Sequence, residues 1–447
     1  MYKNPREIAV NILNEINEEE AYSNISINRN IGKDISSLDE SFIREIVYGV
    51  IESKLLIDWI IMQFSKIKIK KIAPIIREIL RIGVYQIIFM DRIPDSAAVN
   101  ESVKLAKKYG HKGSVGFVNA ILRNISRNKN NIELPERNID STEYLSVKYS
   151  HPKWMIKKWI KDFGLNFTEE LCLANNEKPK LNIRVNTLKI AKQELMYKLK
   201  KRGFDVKEGE YAYDCIIIDN PVRITDTDEF MNGFFQIQDE SSMLVAQIMN
   251  PKPGDLVIDV CSAPGGKTTH IAQKMENEGK IIARDIHEYK LNLINGNIER
   301  LGINIIQLEQ YDARKLDERL IEKADCCLVD VPCSGLGLIR RKPDIKWSKE
   351  EDNLSEITKL QYEILMNSSK YVKKGGVLIY STCTIQKEEN IILVRKFIEN
   401  NKSFILRSFE ELIGEEELKK AATNGYIELY PNINNTDGFF IAKMIKI

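Results

Sequence analysis

A disulfide framework, a membrane span and a bulk charge of one sign are all missing from this sequence. Its seven cysteines are Cys172, Cys215, Cys261, Cys326, Cys327, Cys333 and Cys383. Seven is an odd number and too few to cross-link a chain of 447 residues. No C-x-x-C pair occurs, which argues against structural zinc, and no metal is expected. Free thiols in a reducing cytoplasm are the default. No apolar run approaches the roughly 18 residues of a membrane span. The start, Met1-Tyr2-Lys3-Asn4-Pro5, leads straight into an amphipathic pattern, so no secretory leader is expected. With 66 Lys and Arg against 64 Asp and Glu the net charge is only +2, and any nucleic-acid binding has to rest on local patches. What is present, 43% hydrophobic and 29% charged residues, is the balance of a globular chain and excludes wholesale disorder.

The length suggests two to four domains at roughly 100–200 residues each, and three textures can be separated. Residues 1–130 read as helical. Ile8, Ile12, Leu13 and Ile16 share one face behind Pro5, residues 41–62 repeat the pattern through Ile43, Ile46, Val47, Val50 and Trp59, and three further helices are expected over 75–90, 97–109 and 114–126. A polar stretch ending at Pro135 marks a linker, taken as 131–143. Residues 144–235 open with a helix holding Trp154 and Trp159. Leu181–Thr187 then alternates apolar and polar residues as a half-buried strand does, a lysine-rich helix ends at Gly203, and Cys215–Ile218 is a second strand; together they suggest a small α+β module. From 236 to 447 short apolar strands at 256–260, 280–283, 305–308, 326–329, 377–380 and 439–444 alternate with helices, which predicts a mainly parallel, doubly wound sheet. Such sheets hold ligands outside the carboxyl ends of their strands.

At those ends the sequence is unusual. The first strand runs into Asp259-Val260-Cys261-Ser262-Ala263-Pro264-Gly265-Gly266-Lys267-Thr268, a tight strand-to-helix turn that lets backbone N–H groups approach a ligand. A P-loop is excluded, because the glycine required at 261 is Cys. The second strand ends at Asp285, twenty residues after Gly265, where dinucleotide folds place an acid on a ribose diol. The third is followed by Asp312, a carboxylate near where an adenine would lie. The fourth ends in Asp330-Val331-Pro332-Cys333-Ser334-Gly335 and the fifth in Ser381-Thr382-Cys383, so that each leaves a thiol just past a strand. An isolated Cys is usually a small core hydrophobe; two at equivalent strand ends beside a glycine loop invert that reading. Cys326 and Cys327, within a strand, stay core residues.

These ordered motifs resemble the RNA cytosine-5 methyltransferases, which use S-adenosyl-L-methionine. Asn182–Thr187, Gln236–Ser242 and Thr436–Ala442 match the lead-in and closing segments of that family, so the similarity spans residues 145–447. Ala98–Glu101 and Gly116–Arg123 resemble the NusB-like RNA-binding helical domain, and the two together resemble the layout of the bacterial 16S rRNA cytosine-5 methyltransferases of the Sun/Fmu type. Ser262 stands where relatives often have Ala. The fold class implied is a Rossmann-like α/β methyltransferase domain, preceded by an all-α NusB-like domain and a small α+β module.

The resemblance also implies roles. Cys261, Ser262, Ala263, Pro264, Gly265, Gly266 and Lys267 would wrap the cofactor with Asp285, Asp312 and Asp330. Cys383 would attack C6 of cytosine, Cys333 would assist product release, and Asp330 would contact the base. Both cysteines are chemically suited to the attack, so sequence chemistry alone does not choose between them. Arg340, Arg341 and Lys342 follow the Pro-Cys turn and are expected to contact RNA phosphates; Lys66, Lys68, Lys70 and Lys71 form a second basic cluster. The expected partner of such a monomeric, cytoplasmic enzyme is 16S rRNA, unpaired or partly assembled, because a stacked base cannot reach such a pocket. Two alternatives stay open: a cytosine-5 methyltransferase acting on tRNA or another RNA, and a non-catalytic, antitermination-like RNA-binding protein. Intact cysteines at both strand ends argue against the second.

Overall fold

A computed structural model describes residues 4–19, 21–32, 35–219, 223–349 and 353–447. Met1–Lys3, the start of the expected lead-in, lie outside the described residues. The chain divides into two compact units, Met1–Glu177 with Ile339–Glu351, and Lys178–Leu338 with Asp352–Ile447.

The first unit is helical: α1 Pro5–Glu18, α2 Ser23–Asn30, α3 Ser37–Glu52, α4 Lys54–Phe64, α5 Pro74–Phe89, α6 Asp95–Tyr109, α7 Lys112–Asn128, α8 Ser141–Tyr149, α9 Lys153–Phe163 and α10 Leu165–Asn175. Local chemistry starts several of them. Asn4 accepts from Arg6 N ahead of Pro5, Ser36 from Asp39 N, and Asp140 from Glu143 N, each satisfying an orphan donor. The periodic positions read from the sequence form the core, with Ile12, Leu13, Ile43, Ile46 and Val47 fully buried. The single helix expected over 41–62 is two, broken at Ser53, whose backbone leaves the helical region. Helices α8–α10 cluster with this unit, where Ser150 Oγ accepts from Leu55 N at 2.8 Å and Trp159 is fully buried. The compact break therefore follows Glu177.

The second unit begins with the α+β module: β1 Leu181–Val185, α11 Lys192–Lys201, β2 Asp205–Glu208, β3 Cys215–Asp219, α12 Asp228–Met231 and β4 Phe235–Ile237, an antiparallel sheet in the order β2-β3-β1-β4. After α13 (Glu240–Met249) come β5 Leu256–Asp259, α14 Gly266–Lys274, β6 Lys280–Asp285, α15 Glu288–Leu301, β7 Ile306–Gln310 and β8 Ala324–Asp330. The chain passes to the helical unit through a segment carrying α16 (Ile345–Ser348), then returns as α17 Asn353–Ser369, β9 Val372–Thr382, α18 Ile391–Asn400, β10 Phe404–Leu406, α19 Glu416–Ala422, β11 Tyr426–Leu429, α20 Pro431–Asn434 and β12 Phe439–Lys446. The large sheet runs β10-β12-β9-β8-β5-β6-β7, with β11 beside β12. Strands β5 to β9 pair in parallel, as expected, whereas β12 closes the sheet antiparallel to β9. The strand order reverses between β5 and β8, so the crevice at their carboxyl ends is the ligand position the topology favours.

Strand β1 is not half-solvated, as its alternation suggests. Its polar residues are buried too, Arg184 to 1% exposure and Asn182 to 4%. Arg184 donates to Gln238, to the carbonyl of Gly266 and to Thr269 Oγ1 (3.0 Å), and burial pushes its guanidinium down to about 9. A second clasp joins the module to α14. His270 Nε2 lies 2.9 Å from Asp214, and Lys274 pairs with the same carboxylate at 2.7 Å. Helix α14 is thereby held in its first and last turns by side chains of the module.

Burial pushes His270 down to about 4, outweighing the opposing pull of Asp214. The ordinary value in an unfolded chain is about 6.5, so the unfolded state takes up the proton first as pH falls. Stability contributed by neutral His270 is full above pH 6.5 and is lost as pH drops towards 4. Urea unfolding followed over this window should show stability falling, and His270→Gln should reduce the slope by up to about 1.4 kcal/mol per pH unit, one proton's worth. An unchanged slope would mean that the His270 imidazole is not buried neutral.

Candidate active site

The glycine turn is built by backbone constraints. Gly265 takes φ +95°, left-handed, and an added Cβ would meet Ile294 Cγ2 at 2.8 Å. Ser262 is tied down, its N and Oγ donating to Arg284 O at 2.8 and 3.0 Å. Arg284 is in turn buried between Glu309 and Asp317 and stacks on Tyr311 at 4.2 Å. Beneath the turn, burial pushes Asp259 up to about 7 while Thr268 Oγ1 donates to it at 2.7 Å.

A cavity of about 470 Å³ opens at the carboxyl edge, within the range of small-molecule sites. Cys261, Ala263, Asp285, Asp312, Asp330, Cys333 and Cys383 all line it. A smaller space of about 170 Å³ shares Cys261, Ala263 and Asp330 and adds Ser262, Pro264, Gly266 and Lys267. Gly265 lines neither; its part is the turn itself. Asp285 is nearly buried, with Oδ1 accepting from His287 N at 2.9 Å and Oδ2 taking no hydrogen bond from any described residue. Asp312 is engaged by Arg314 at 2.7 Å, whose hydrogen bonds hold its carboxyl below the usual range.

The ends of β8 and β9 meet at one side of this cavity. Cys333 Sγ and Cys383 Sγ are 3.1 Å apart. Asp330 accepts from Lys267 Nζ through Oδ2 and from Ser381 Oγ through Oδ1, both at 2.7 Å. Burial would lower Lys267, but the Asp330 carboxylate, and behind it the charge of Cys383, raise it, so the ammonium stays charged. The Cys333 thiol is pushed well up, first by its hydrogen bond with Cys383 and then by burial.

Sequence reasoning missed the residues that bring those sulfurs together. Fully buried Glu389 accepts from Ser334 N (2.9 Å), from Ser334 Oγ and from Gln361 Nε2 (2.8 Å). Ser334 Oγ also meets Thr384 Oγ1 at 2.8 Å, which ties the residue after Cys333 to the residue after Cys383. An acid and an amide, Glu389-Asn390, directly before α18 were the available signal; Asn390 bonds Thr382 Oγ1 and Thr384 O.

The basic run at 340–342 is unevenly exposed. Arg340 is 4% exposed and Arg341 half-buried, both with partners inside the protein, so Lys342 alone presents its charge fully to solvent. The reason is the anchoring of the segment in the helical unit. Asp344 accepts from Ser23 Oγ (2.9 Å), Lys346 Nζ donates to Glu52 O (2.9 Å) and Trp347 Nε1 to Ile51 O (2.9 Å). Lys66, Lys68, Lys70 and Lys71 are exposed. Among the described residues there is no metal-binding group of three or more His, Cys, Asp or Glu, and no helix long and apolar enough to cross a membrane.

Comparison with known proteins agrees with this architecture. The family described as 16S rRNA methyltransferase RsmB/F matches residues 246–445, the NusB family residues 3–127, and the ferredoxin-like domain of RsmF/B-like methyltransferases residues 151–225. A probable ribosomal RNA small subunit methyltransferase B from Bacillus subtilis (strain 168) is 37% identical over 99% of this chain and 98% of its own. Among solved structures, a methyltransferase homolog protein from Pyrococcus horikoshii is 31% identical, covering 69% of this chain and 99% of its own with a TM-score of 0.60. NSun6 from Pyrococcus horikoshii, solved with SFG, is 27% identical over 66% of this chain and 98% of its own, also with a TM-score of 0.60.

If Glu389 sets the sulfur spacing, Glu389→Ala should leave three buried donors without their acceptor, costing roughly 2–5 kcal/mol. At matched folded fraction, diamide should join Cys333 to Cys383 readily in the wild type and much more slowly in the variant, as read by tryptic mapping. Equal rates would remove Glu389 from this role.

Proposed function

Because the chain belongs to the 16S rRNA methyltransferase RsmB/F family, we propose that it transfers a methyl group from S-adenosyl-L-methionine to C5 of a cytosine in 16S rRNA, through a transient bond between Cys383 and C6. The observation that carries this reading is the pair of sulfurs 3.1 Å apart at one end of a cavity bounded elsewhere by the glycine turn and Asp285.

The residues present fit the cofactor. Asp285 offers an unengaged carboxylate oxygen to a ribose diol, Cys261–Lys267 the close backbone approach that a methionine end needs, and Asp312 with Ala313 a wall for adenine. When bound, S-adenosyl-L-methionine supplies an electrophilic methyl on sulfonium.

Cytosine C5 is a poor nucleophile until C6 is attacked. The Cys383 thiolate forms the S–C6 bond, and the C5=C6 electron pair moves to C5, which takes the methyl. Loss of the C5 proton then re-forms C5=C6, breaks the S–C6 bond and returns the thiolate. Charged Lys267 favours that thiolate. Asp330, already oriented by Lys267 and Ser381, accepts from the N4 amino group and supports protonation at N3 as C6 is attacked. The leading cause of the raised Cys333 thiol is Cys383 itself. Once Cys383 is bonded to C6 that cause is gone, so Cys333 gives up its own proton to solvent more readily, and the thiolate formed takes the proton from C5. Lys342 remains as the exposed phosphate contact of the basic run.

Bisulfite sequencing of total RNA with and without the gene tests the substrate: a mark lost from 16S rRNA is expected, and one lost from tRNA instead would overturn the choice. Asp285→Ala should weaken cofactor binding by roughly 1.5–3 kcal/mol, about 10- to 150-fold by calorimetry; unchanged affinity would remove the diol contact. Cys383→Ala should abolish turnover and leave no covalent RNA adduct, whereas Cys333→Ala should accumulate an adduct that survives denaturing gels. The reverse pattern would exchange the two roles.

A further inference from the structure

We propose that the outer face of the α6–α7 hairpin is an RNA-phosphate binding surface, with the groove between Ser96, Asn100, Arg123 and Arg127 at its centre. The inference rests on the reading that the substrate is RNA, and it names the surface of the helical unit that holds the strand. Charge is strongly segregated along this chain. Residues 92–131 contain eight Lys and Arg against two acids, a net +6, while the whole chain carries only +2, so everything outside this stretch sums to −4. Both acids are used internally. Asp95 accepts from Ser126 Oγ (2.8 Å) and pairs with Lys129 (3.1 Å), and Glu101 pairs with Lys104 (2.7 Å) while accepting from Asn4.

Helical phase decides which way the excess points. Ala98, Val99, Leu105 and Ala106 of α6 and Val118, Ile121, Leu122 and Ile125 of α7 are buried in the core of the unit. The opposite faces therefore present Asn100, Lys104 and Lys107 from α6, and Arg123 and Arg127 from α7, all exposed. Between the two helices lies a groove of about 480 Å³, lined by Ser96, Val99, Asn100, Arg123, Ser126 and Arg127 together with Asp95. Its lining is polar apart from Val99 and holds no aromatic ring, which suits a polyanion and not an apolar ligand or the aromatic anchor of a protein partner. Further along α7, Ala120 and Gly116 are small and exposed, and nothing stands within 4 Å of the position a Gly116 Cβ would take, so a backbone can approach closely.

Arg123 and Arg127 sit at i and i+4, where like charges cost a helix a few tenths of a kcal/mol. No carboxylate of a described residue pairs with Arg92, Lys107, Lys112, Arg123 or Arg127; Arg123 donates only to Asn119 Oδ1 at 3.0 Å. These cations are thus left to an external anion. Without stacking rings or a base-edge pocket, the surface reads phosphate spacing, so it supplies affinity and orientation and leaves selection of the base to the catalytic cavity.

The test uses the full-length protein and a fluorescein-labelled, unstructured RNA oligonucleotide. Anisotropy is measured across a KCl series for wild type, for the combined variant Lys104→Gln, Arg123→Gln and Arg127→Gln, and for a control that removes equal charge elsewhere, Lys402→Gln, Lys419→Gln and Lys420→Gln. Each neutralised phosphate contributes about 0.7 to the slope of log affinity against log salt, so the α6–α7 variant should lose about 2 from that slope, and its KM for RNA should rise with kcat unchanged. The control should keep the wild-type slope. Thermal melting monitored by circular dichroism checks that both variants are folded. A folded α6–α7 variant with wild-type slope and KM overturns the surface, as does an equal loss in the control; so would a loss confined to binding of anionic phospholipid vesicles with RNA binding intact. Absence of methyl transfer by wild-type protein would instead sink the proposed function, and is read in a separate assay.

Discussion

Parallel pairing of β8 with β9 sets Asp330 opposite Ser381, and the arrangement of the site follows from that register. Each strand ends within a residue of this pair, one turn reaching Cys333 and the other Cys383. A slip of one residue would turn every side chain to the other face of the sheet and separate Asp330 from the hydroxyl that orients it. The turns themselves are then locked by Ser334, Thr384 and Glu389, and their backbones meet where Gly337 N donates to Cys383 O at 3.1 Å and Gly438 N to Gly337 O at 2.9 Å. A Cβ on Gly337 would stand 2.0 Å from Gly438 O, so the closing segment before β12 is part of the same clamp.

Electrostatics in the site is arranged in pairs. Lys267 answers Asp330, and Arg284 answers Glu309 and Asp317 one layer behind Asp285. The two sulfurs are 3.1 Å apart, and the hydrogen bond between them is the first cause of the raised Cys333 thiol. Thiols this close titrate as a pair, the state of one setting the basicity of the other. The α+β module contributes to the same end from a distance. Its buried Arg184 and Asp214 hold the first and last turns of α14, and through them the glycine turn.

The near-neutral total charge conceals a division of labour. The helical unit carries exposed cations on the α6–α7 hairpin and at Lys66, Lys68, Lys70 and Lys71, whereas in the second unit Lys267 and Arg284 pair with carboxylates at the site. The basic run at 340–342 shows the difference between composition and placement: the segment is drawn into the helical unit by Asp344, Lys346 and Trp347, and Arg340 is buried with it.

Local rules carry information that a single sequence holds, and they accounted for much of what was legible here. Helical periodicity in Ile43, Ile46 and Val47, the short apolar strands, the glycine turn and the thiols past β8 and β9 all depend on neighbours within a few residues, so they can be read directly. The cavity does bring together Cys261, Asp285, Asp330, Cys333 and Cys383, because the rule for parallel sheets places strand ends side by side. What tertiary structure alone decided depends on partners far along the chain. Arg184 looked like the solvent face of a strand, yet its guanidinium is buried against residues 54 to 85 positions away. Glu389 reaches back 55 residues to Ser334, and the break after Glu177 reflects packing of α8–α10 that no periodicity encodes. A pattern in sequence says which face of an element is apolar; which distant polar group meets it, and at what distance, is determined only when the packed chain leaves each buried donor a single acceptor within reach.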